Sequence, residues 1–544
     1  MRTPASLAIA AILVLAAALV GYPIAASVTH GVNVDVWPAP VIRPHTWFEA
    51  ILESYGWDNI KAYLDMISGT SVAFAGGGSW QAVAIFVPPT LVLLLLPASP
   101  PVTRDPRGTF GDARWAFPRE KSEMREGIEL GIDPDSGKPV RVRFEGNFLT
   151  IAPPRAGKTS GLAIPNLLAP TRNAWTGPAV VIDPKGQVFK TVAERRRALG
   201  RRVVCLDPMN LVGGIDTWCP MQTVHPNDVL HAQRIARAIL PATTSAESVY
   251  FQNRATDLIV TAQRIAIAAG NPTPRRVAEL IGDPEALAKR IDSLSSDTIT
   301  DRVRSLLAME ARTRDPVIST AMQAFQWCDD PRMQQLTNGS TVDFEDLCRD
   351  QLDLFLTLPT ESLETLAPFV RWFLTDLFAT IRRTPPIERA IIFVDEARAL
   401  GRYSELVVAS GELPGHQASL WTFWQDRSQI QAIYGEQDAA TLLRTAEFVT
   451  ISDPAAVDPD ECDFWSRALG DFSLLQETKS IDTGGGQKRT STTTVPMAAR
   501  LMSSEELARL PASELIVFPK SPRYAKRPLR LLKTRHDDPR LSVK

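Results

Sequence analysis

Beyond residue 140, short apolar runs recur along the chain, and many are separated by stretches whose apolar residues repeat with helical spacing. Several runs are rich in Val, Ile and Phe, which favours strands. Strands that alternate with helices are typical of a parallel sheet covered on both faces, so the pattern predicts an α/β fold. The predicted strands are Asn147–Ile151, Ala179–Ile182, Val203–Leu206, Leu352–Leu358, Ala390–Val394, Leu420–Trp424, Phe448–Ile451 and Leu515–Phe518.

The stretch from about Met221 to Asp343 breaks this alternation. Its apolar residues keep a helical spacing, as in Val229–Ile239 and Arg254–Ala268, and no run convincingly favours a strand. The pattern therefore predicts an all-helical domain inserted into the sheet domain. Nearer the C-terminus, the Gly- and Thr-rich segment Thr483–Thr494 predicts a flexible loop.

The first hundred residues contain two runs without a charged residue, Thr3–Thr29 and Trp80–Ala98. A helix needs about 20 apolar residues to cross the hydrocarbon core of a bilayer. The first run alone also fits a secretory signal peptide that ends near Ala25–Ser27. The second run argues against that alternative, and the two together predict a transmembrane hairpin.

Lys and Arg are unevenly distributed around these runs, and cytoplasmic flanks usually carry the excess. The only basic residues, Lys or Arg, within residues 27–79 are Arg43 and Lys61. We therefore expect the segment between the spans to be exported and the large C-terminal part to be cytoplasmic. The cations that follow the second run are Arg104, Arg107, Arg114, Arg119, Lys121 and Arg125.

Composition narrows the functional classes. The 544 residues are 44% hydrophobic, enough for several domains with their own cores. The 59 basic and 61 acidic residues nearly cancel, so the chain as a whole is not expected to coat nucleic acid or lipid by bulk charge. The five cysteines are irregularly spaced and form no CxxC pair, which argues against a disulfide framework or a structural zinc site.

A candidate phosphate-binding loop follows the first predicted strand. The pattern of such loops is GxxxxGK[ST], and its last three positions are Gly157, Lys158 and Thr159. Ala152 replaces the first glycine, which requires a backbone without positive φ at that position. The alternative is a chance match on a strand-to-helix turn. The candidate nucleotide-binding residues are Ala152, Pro153, Pro154, Arg155, Ala156, Gly157, Lys158, Thr159 and Ser160.

The chemistry of such a loop explains these residue types. Backbone N–H groups and the N-terminus of the next helix bind phosphate oxygens. Lys158 can reach the β- and γ-phosphates, and the Thr159 hydroxyl can ligate Mg²⁺.

Two further predicted strands end in polar residues that fit the same site. Asp395 and Glu396 follow the apolar run Ala390–Val394. Asp395 can hold Mg²⁺ through water, and Glu396 can polarise the attacking water as a catalytic base. Gln425, at the end of the next strand, can sense the γ-phosphate. The alternatives are an acidic helix cap for the carboxylates and a simple strand-end polar residue for Gln425.

With these residues, the chain resembles the type IV coupling proteins, the TraG/TraD-like, VirD-type membrane ATPases of bacterial conjugation and type IV secretion. The resemblance spans nearly the whole chain, and the Asp183-Pro-Lys185-Gly motif is more specific than a P-loop alone. The motifs that carry it, besides the apolar runs, are residues 155–159, 181–186, 207–208, 218–220, 395–396, Gln425 with Gln429, Ile430 and 434–435, and 501–507 with 515–518.

The resemblance implies a RecA/FtsK-like P-loop domain with ATP and Mg²⁺ as cofactors and Asp183 and Lys185 among its site residues. It implies a homo-hexameric ring on the cytoplasmic face of the bacterial inner membrane. The implied partners are inner-membrane components of a type IV secretion system and relaxosome or effector proteins. The implied cargo is relaxase-bound single-stranded DNA, protein effectors, or both.

The implied domains follow the chain in order. They are transmembrane helix 1 (1–27), a periplasmic segment (28–71), transmembrane helix 2 (72–98), the first part of the nucleotide-binding domain (99–221), an all-α domain (222–343), the second part of the nucleotide-binding domain (344–520) and a basic C-terminal tail (521–544). We expect cargo specificity to lie in the all-α domain, with the basic stretch Lys520–Arg535 as the alternative docking site.

Two departures from the simplest motor remain open. Relatives can carry a trans-acting arginine before the Gln425 strand, but Ser410–His416 contains none, which leaves Arg398, Arg402 and Arg444 as candidates. The chain can also be a docking receptor with a mainly structural nucleotide site, or an FtsK-like DNA translocase. The complete set of Lys158, Thr159, Asp395 and Glu396 favours hydrolysis.

Overall fold

The computed structural model describes residues 104–541, apart from residues 170, 243–245, 295–296, 350–351, 455–457, 483–488 and 536–537. Both predicted transmembrane spans and the segment between them lie outside the described residues. Within the described part of the chain, no helix is long and apolar enough to cross a membrane.

The chain divides into two compact units, and the larger contains residues 111–472 and the described residues from 499 onwards. The described residues of the smaller unit belong to 104–110 and 473–498. They include most of a two-stranded ribbon formed by Asp471–Asp482 and Arg489–Arg500. The predicted loop Thr483–Thr494 is therefore wrong from residue 489 onwards, because its Thr-rich second half continues a strand.

The larger unit has a mixed α/β fold built on an 11-stranded sheet. Seven neighbouring strands are parallel, in the order β9-β3-β8-β7-β4-β6-β5, and β5 is one edge of the sheet. Four antiparallel strands, β12, β13, β1 and β2, continue the sheet beyond β9. All eight strands predicted from the apolar runs are confirmed, with ends that differ by at most two residues. The strands are β1 (Ile128–Ile132), β2 (Pro139–Val142), β3 (Asn147–Ile151), β4 (Ala179–Ile182), β5 (Arg202–Leu206), β6 (Leu352–Leu356), β7 (Ala390–Val394), β8 (Ala418–Trp424), β9 (Ala446–Ile451), β10 (Asp471–Asp482), β11 (Arg489–Arg500), β12 (Glu514–Pro519) and β13 (Leu529–Leu532).

The predicted basic tail at 521–544 is wrong, because β13 lies within the sheet between β12 and β1. The guanidinium groups of this stretch are also engaged. Arg523, Arg527 and Arg530 pair with carboxylates of Glu145, Asp112 and Glu514 at 3.1, 2.5 and 2.5 Å. Strands β1, β2 and β13 escaped prediction because a charged residue interrupts the apolar run of each, namely Glu129, Arg141 and Arg530.

Between β5 and β6, the described residues form helices and connecting turns. Several of these helices begin where an Asp side chain accepts an N–H of the first turn, as Asp228, Asp283 and Asp297 do. The helices before this region are α1 (Pro118–Lys121), α2 (Ile164–Leu168) and α3 (Gln187–Ala198). Those within it are α4 (Val229–Ile239), α5 (Ala246–Ala268), α6 (Pro274–Gly282), α7 (Pro284–Arg290), α8 (Thr298–Leu307), α9 (Ala311–Gln323), α10 (Pro331–Leu336) and α11 (Phe344–Cys348). Those after it are α12 (Leu363–Arg383), α13 (Ser404–Glu412), α14 (Arg427–Thr445), α15 (Pro459–Leu469) and α16 (Ser504–Leu507).

Aromatic rings on one face of the sheet run across the central strands. Trp421 of β8 stacks on Phe148 of β3 and on Phe393 of β7, with ring centroids 4.7 and 5.4 Å apart. The Trp421 indole N–H also donates to Thr150 Oγ1 at 2.9 Å. Such cross-strand pairs stabilise one register, and here they align β3, β8 and β7.

A buried ion pair joins helix α3 to the sheet. The Arg196 guanidinium donates to both carboxylate oxygens of Asp353 in β6, at 2.6 and 2.9 Å, and both side chains are fully buried. Arg196 also donates to the Gly177 carbonyl, and Asp353 accepts the Ala179 N–H. Each charge therefore depends on the other for compensation.

We expect Arg196→Met to destabilise the protein by about 3–5 kcal/mol, because it leaves the Asp353 carboxylate buried without its cation. The measurement is the thermal unfolding midpoint. The matched control is Arg202→Met, which removes an exposed pair with Asp346 and should cost at most about 1 kcal/mol. Equal shifts for the two variants would contradict the assignment.

Candidate nucleotide site

The carboxyl ends of four neighbouring parallel strands, β3, β8, β7 and β4, meet at one edge of the sheet. Ile151 pairs with Trp424, and Ile182 pairs with Val394, which in turn pairs with Thr422, two residues before the end of β8. The segments that follow these strands therefore converge. They carry the phosphate loop, Gln425, the Asp395–Glu396 pair and Asp183, all of which the sequence analysis selected.

The loop after β3 turns sharply before it enters a helix. Arg155 and Gly157 have φ angles of 66° and 75°, in the left-handed region, and Ala152 is not among the residues with positive φ. Alanine is thus tolerated where the common pattern has glycine. The helix opens with a π-helical turn, Thr159–Ala163, before α2. Single π turns inside α-helices are frequent at functional sites.

Lys158, Glu396 and Gln425 form a connected polar group. The Lys158 ammonium lies 3.7 Å from Glu396 Oε2, and the Gln425 amide donates to Glu396 Oε1 at 3.1 Å. Glu396 has a φ of 71°, which is rare for a residue with a side chain. The structure thus holds the Glu396 carboxylate between a cation and an amide donor, on a backbone conformation of the kind that clusters at active sites.

Thr159 and Asp395 form the second contact between the loop and β7. The Thr159 hydroxyl donates to Asp395 Oδ2 at 2.8 Å. The other carboxylate oxygen, Oδ1, is buried and has no hydrogen-bond partner among the described residues. Burial raises the pKa of Asp395, and the nearby negative charges of Asp183 and Glu396 raise it further.

These features fit a divalent cation held partly by ligands from outside the chain. A buried carboxylate oxygen without a partner gains the most from a nearby positive charge. In the part of the chain that the structure describes, no three His, Cys, Asp or Glu side chains form a metal-binding group. Mg²⁺ commonly uses one or two protein carboxylates and completes its shell with phosphate oxygens and water. Thr159 and Asp395 are suited to that arrangement.

The two site residues of the Asp-Pro-Lys-Gly motif, Asp183 and Lys185, lie in different surroundings. Asp183 is buried, and its carboxylate accepts the backbone N–H groups of Lys185 and Phe189 at 3.3 and 3.0 Å. Burial raises its pKa. Lys185 is exposed. Asp183 therefore shapes the turn after β4 and adds negative charge near Asp395, whereas the Lys185 side chain points into solvent.

The three arginine candidates differ in their surroundings. Arg402 is tied to Asp438 at 3.1 Å and donates to the Tyr434 carbonyl at 2.9 Å. Arg398 and Arg444 are exposed. None of the three is brought by the structure to the Lys158, Glu396 and Gln425 group of its own chain.

A cleft of about 150 Å³ adjoins the phosphate loop. Its lining includes Pro153, Pro154, Gln425 and the buried Glu461. The Trp465 indole N–H donates to Glu461 at 2.6 Å. The sequence analysis missed Glu461 and Trp465, because nothing in the local pattern of α15 distinguishes them from core residues.

Lys533 is the second omission. It follows β13, and its ammonium donates to the carbonyl of Ala156 inside the phosphate loop. The basic composition of the surrounding stretch was visible in the sequence but indicated a free tail. Only the antiparallel pairing of β13 with β12 and β1 brings this lysine to the loop.

Comparison with protein families gives one clear match. The family model described as "Type IV secretory system Conjugative DNA transfer" matches residues 116–535. The match includes every residue of the site described above.

Two curated relatives illustrate the similarity. Conjugal transfer protein TraG of Agrobacterium fabrum is 25% identical over 511 residues, which cover 85% of this chain and 75% of the relative. Protein VirD4 of Rhizobium radiobacter is 23% identical over 397 residues, 68% of this chain and 56% of the relative.

Solved structures share the fold. The bacterial conjugative coupling protein TrwBdeltaN70, in a trigonal form with sulphate, gives a TM-score of 0.60 at 16% identity and covers 80% of this chain and 99% of its own. The plasmid coupling protein TrwB in complex with ADP and Mg²⁺ gives 0.58 at 17% identity, with 78% and 97% covered. At these identities the likeness establishes the fold alone.

We expect Asp395→Asn to raise the Mg²⁺ concentration for half-maximal binding of fluorescent ADP by about tenfold. The amide keeps the shape of the carboxyl group but removes the charge that attracts the ion. The control is Asp183→Asn, whose carboxylate is engaged with backbone N–H groups and should change the Mg²⁺ dependence less. An unchanged Mg²⁺ titration for Asp395→Asn would remove this residue from the cation site.

Proposed function

Because this chain belongs to the type IV secretory system conjugative DNA transfer family, we propose that it is a membrane-anchored coupling protein that hydrolyses ATP to deliver cargo to a type IV secretion channel. The observation that carries the hydrolytic part is the convergence of Lys158, Thr159, Asp395, Glu396 and Gln425 at the ends of three adjacent strands. The phosphate loop, the cation site, the proposed base and the proposed γ-phosphate sensor then lie together at one edge of the sheet.

Each side chain has a distinct task in this proposal. The backbone of the phosphate loop and Lys158 bind the phosphates of ATP. Thr159 and Asp395 would hold Mg²⁺, Asp395 through water, and the bound ion would supply positive charge beside the transferred phosphoryl group. Glu396 orients and deprotonates the attacking water, and Gln425 reports whether the γ-phosphate is present.

The ion pair between Lys158 and Glu396 suggests how ATP binding makes the Glu396 carboxylate available as a base. The Lys158 ammonium lies 3.7 Å from Glu396 Oε2. A phosphate chain attracts the same ammonium, so its arrival weakens the hold on Glu396. The carboxylate is then free to accept a proton from water, with the Gln425 amide still at its other oxygen.

Helix α12 supports a coupling between the helical region and this site. It is buried along nearly its whole length and leads towards β7, which carries Asp395 and Glu396. On one side, Asp376 of α12 lies 3.3 Å from His231 of α4. On the other, Thr375 shares a hydrogen bond of 2.7 Å with Tyr403, just beyond the turn after Glu396.

Burial disfavours the charged form of both groups in the contact between α12 and α4. Burial raises the pKa of Asp376 well above its usual range and lowers the pKa of His231 to about 4. The packing of α4 on α12 therefore does not need a fixed charge pair. Cargo that displaces α4 would therefore change the packing of α12. Because α12 also contacts Tyr403, in the segment that follows Glu396, this change can reach the proposed catalytic base.

We assign cargo specificity to the helical region 222–343, because a domain inserted between catalytic strands can vary without disturbing them. DNA, as in the name of the family, and protein effectors are the two cargo classes. A homo-hexameric ring and contacts with inner-membrane components of the secretion system complete the proposal, since the family resemblance of the sequence implies both.

We expect Lys158→Ala to abolish Mg²⁺-dependent ATP hydrolysis and substrate transfer. Glu396→Gln should keep nucleotide binding but lower kcat by about 10²–10⁴, because the amide retains the shape and loses the base. The control is Glu436→Gln, which changes an exposed carboxylate. Wild-type transfer by Glu396→Gln would favour a docking receptor with a structural nucleotide site.

The anchor is a separate proposal that rests on the sequence of the first hundred residues. A reporter that is active only outside the cytoplasm should be active when fused near residue 55 and inactive when fused after residue 110. The reason is the cation excess that follows the second apolar run. A cytoplasmic result at residue 55 would eliminate the two-span hairpin.

A further inference from the structure

Lys533 joins the C-terminal part of the sheet to the phosphate loop. Its ammonium donates to the Ala156 carbonyl and, at 2.5 Å, to the Ala512 carbonyl. Both acceptors are uncharged backbone groups, so the bonds are charge-assisted on the lysine side. A cation from one end of the chain thus holds the backbone of the loop formed by residues 152–160.

The Ala156 peptide lies at the most constrained point of this loop. Residues on both sides of it, Arg155 and Gly157, are in the left-handed region. For a residue with a side chain, such as Arg155, this conformation persists only where surrounding structure holds it. The bond from Lys533 is a contact of that kind, because it comes from outside the loop.

The Ala156 carbonyl belongs to the same planar peptide unit as the Gly157 N–H, which is a candidate donor to phosphate. No cis peptide occurs among the described residues, so the Ala156 carbonyl and the Gly157 N–H point in opposite directions within one plane. A bond that fixes the carbonyl oxygen therefore fixes the N–H. A cation on the carbonyl also polarises the peptide, which strengthens the N–H as a donor.

Lys533 is itself held firmly. Its own backbone N–H donates to the Ser513 carbonyl at 2.8 Å. The next residue, Thr534, is buried and donates its hydroxyl to Glu129 Oε1 at 2.6 Å. Gly161 of the loop helix packs so closely that a Cβ there would lie 3.4 Å from the Lys533 Cβ.

We propose that Lys533 is a positioning residue for nucleotide binding: through the Ala156 carbonyl it aims the Gly157 N–H at the phosphate chain. The inference rests on the proposed function, because it requires that the loop binds a nucleotide. Lys533 touches no reacting atom, so its effect is on affinity rather than on the chemical step.

Lys520 provides a matched control for a purely structural role. Its ammonium also donates to two backbone carbonyls, those of Leu443 and Arg444 at the end of α14. Burial lowers the pKa of both lysines to about 8. The two residues thus share their chemistry and their depth, and differ in whether the carbonyls belong to the phosphate loop.

The first experiment measures ATP and ADP affinity, KM and kcat for full-length Lys533→Met and Lys520→Met. We expect Lys533→Met to raise both dissociation constants and KM by about tenfold, with kcat at saturating ATP within about twofold of wild type. Lys520→Met should bind like wild type. Unchanged affinity of Lys533→Met, an equal loss in Lys520→Met, or a fall in kcat at constant KM would overturn the inference.

A second measurement uses the wild-type protein and needs no variant to fold. Coupling between two bonds is reciprocal, so a nucleotide that needs the aimed loop must also stabilise the bond from Lys533. Acylation of Lys533, followed by mass spectrometry, should slow about fivefold when ADP and Mg²⁺ are added, while Lys520 is unaffected. Equal labelling of Lys533 with and without ADP, in protein that binds ADP, overturns the positioning role alone. Failure of the wild type to bind any nucleotide overturns the proposed function instead.

Discussion

The parallel register of β3, β8, β7 and β4 is the constraint on which the nucleotide site depends. Because side chains of a strand alternate between faces, a shift of one residue in β4, β7 or β8 would turn the polar residue that directly follows that strand away from the others. The aromatic contacts of Trp421 with Phe148 and Phe393 stabilise that register from one face. The core of the sheet thus positions Thr159, Asp395, Glu396 and Gln425.

The polar contacts within the site offset the negative charge of its own carboxylates. Asp183, Asp395 and Glu396 place three carboxylates near one another, and burial raises the pKa of the first two. Their negative charge is offset by Lys158, by the Thr159 hydroxyl and by backbone N–H groups. Within the part of the chain that the structure describes, Asp395 Oδ1 has no hydrogen-bond partner, so a cation would stabilise the site most at that oxygen.

Two residues of the same region have a strained backbone conformation. Arg155 and Glu396 both have positive φ, one in the phosphate loop and one in the Asp395–Glu396 pair. Each is held by a contact from a distant part of the chain: the Ala156 peptide beside Arg155 by Lys533, and the Glu396 carboxylate by Lys158 and Gln425. Distant contacts allow a local conformation that neither segment would adopt alone.

The elements of the central sheet and most of the site could be predicted from the sequence, because their signals are local. A continuous apolar run such as Ala390–Val394 is sufficient to predict a buried strand, and a motif such as Gly157-Lys158-Thr159 carries its chemistry in adjacent residues. The edge strands and Lys533 could not be predicted in this way. Leu529–Leu532 is short and contains Arg530, so its sequence alone does not indicate a strand. It becomes one only where it pairs with β1 and β12, which buries Leu529 and Leu531. A lysine that serves a loop 377 residues away depends on that pairing, and long-range pairing is a property of the packed sheet rather than of any stretch of the chain.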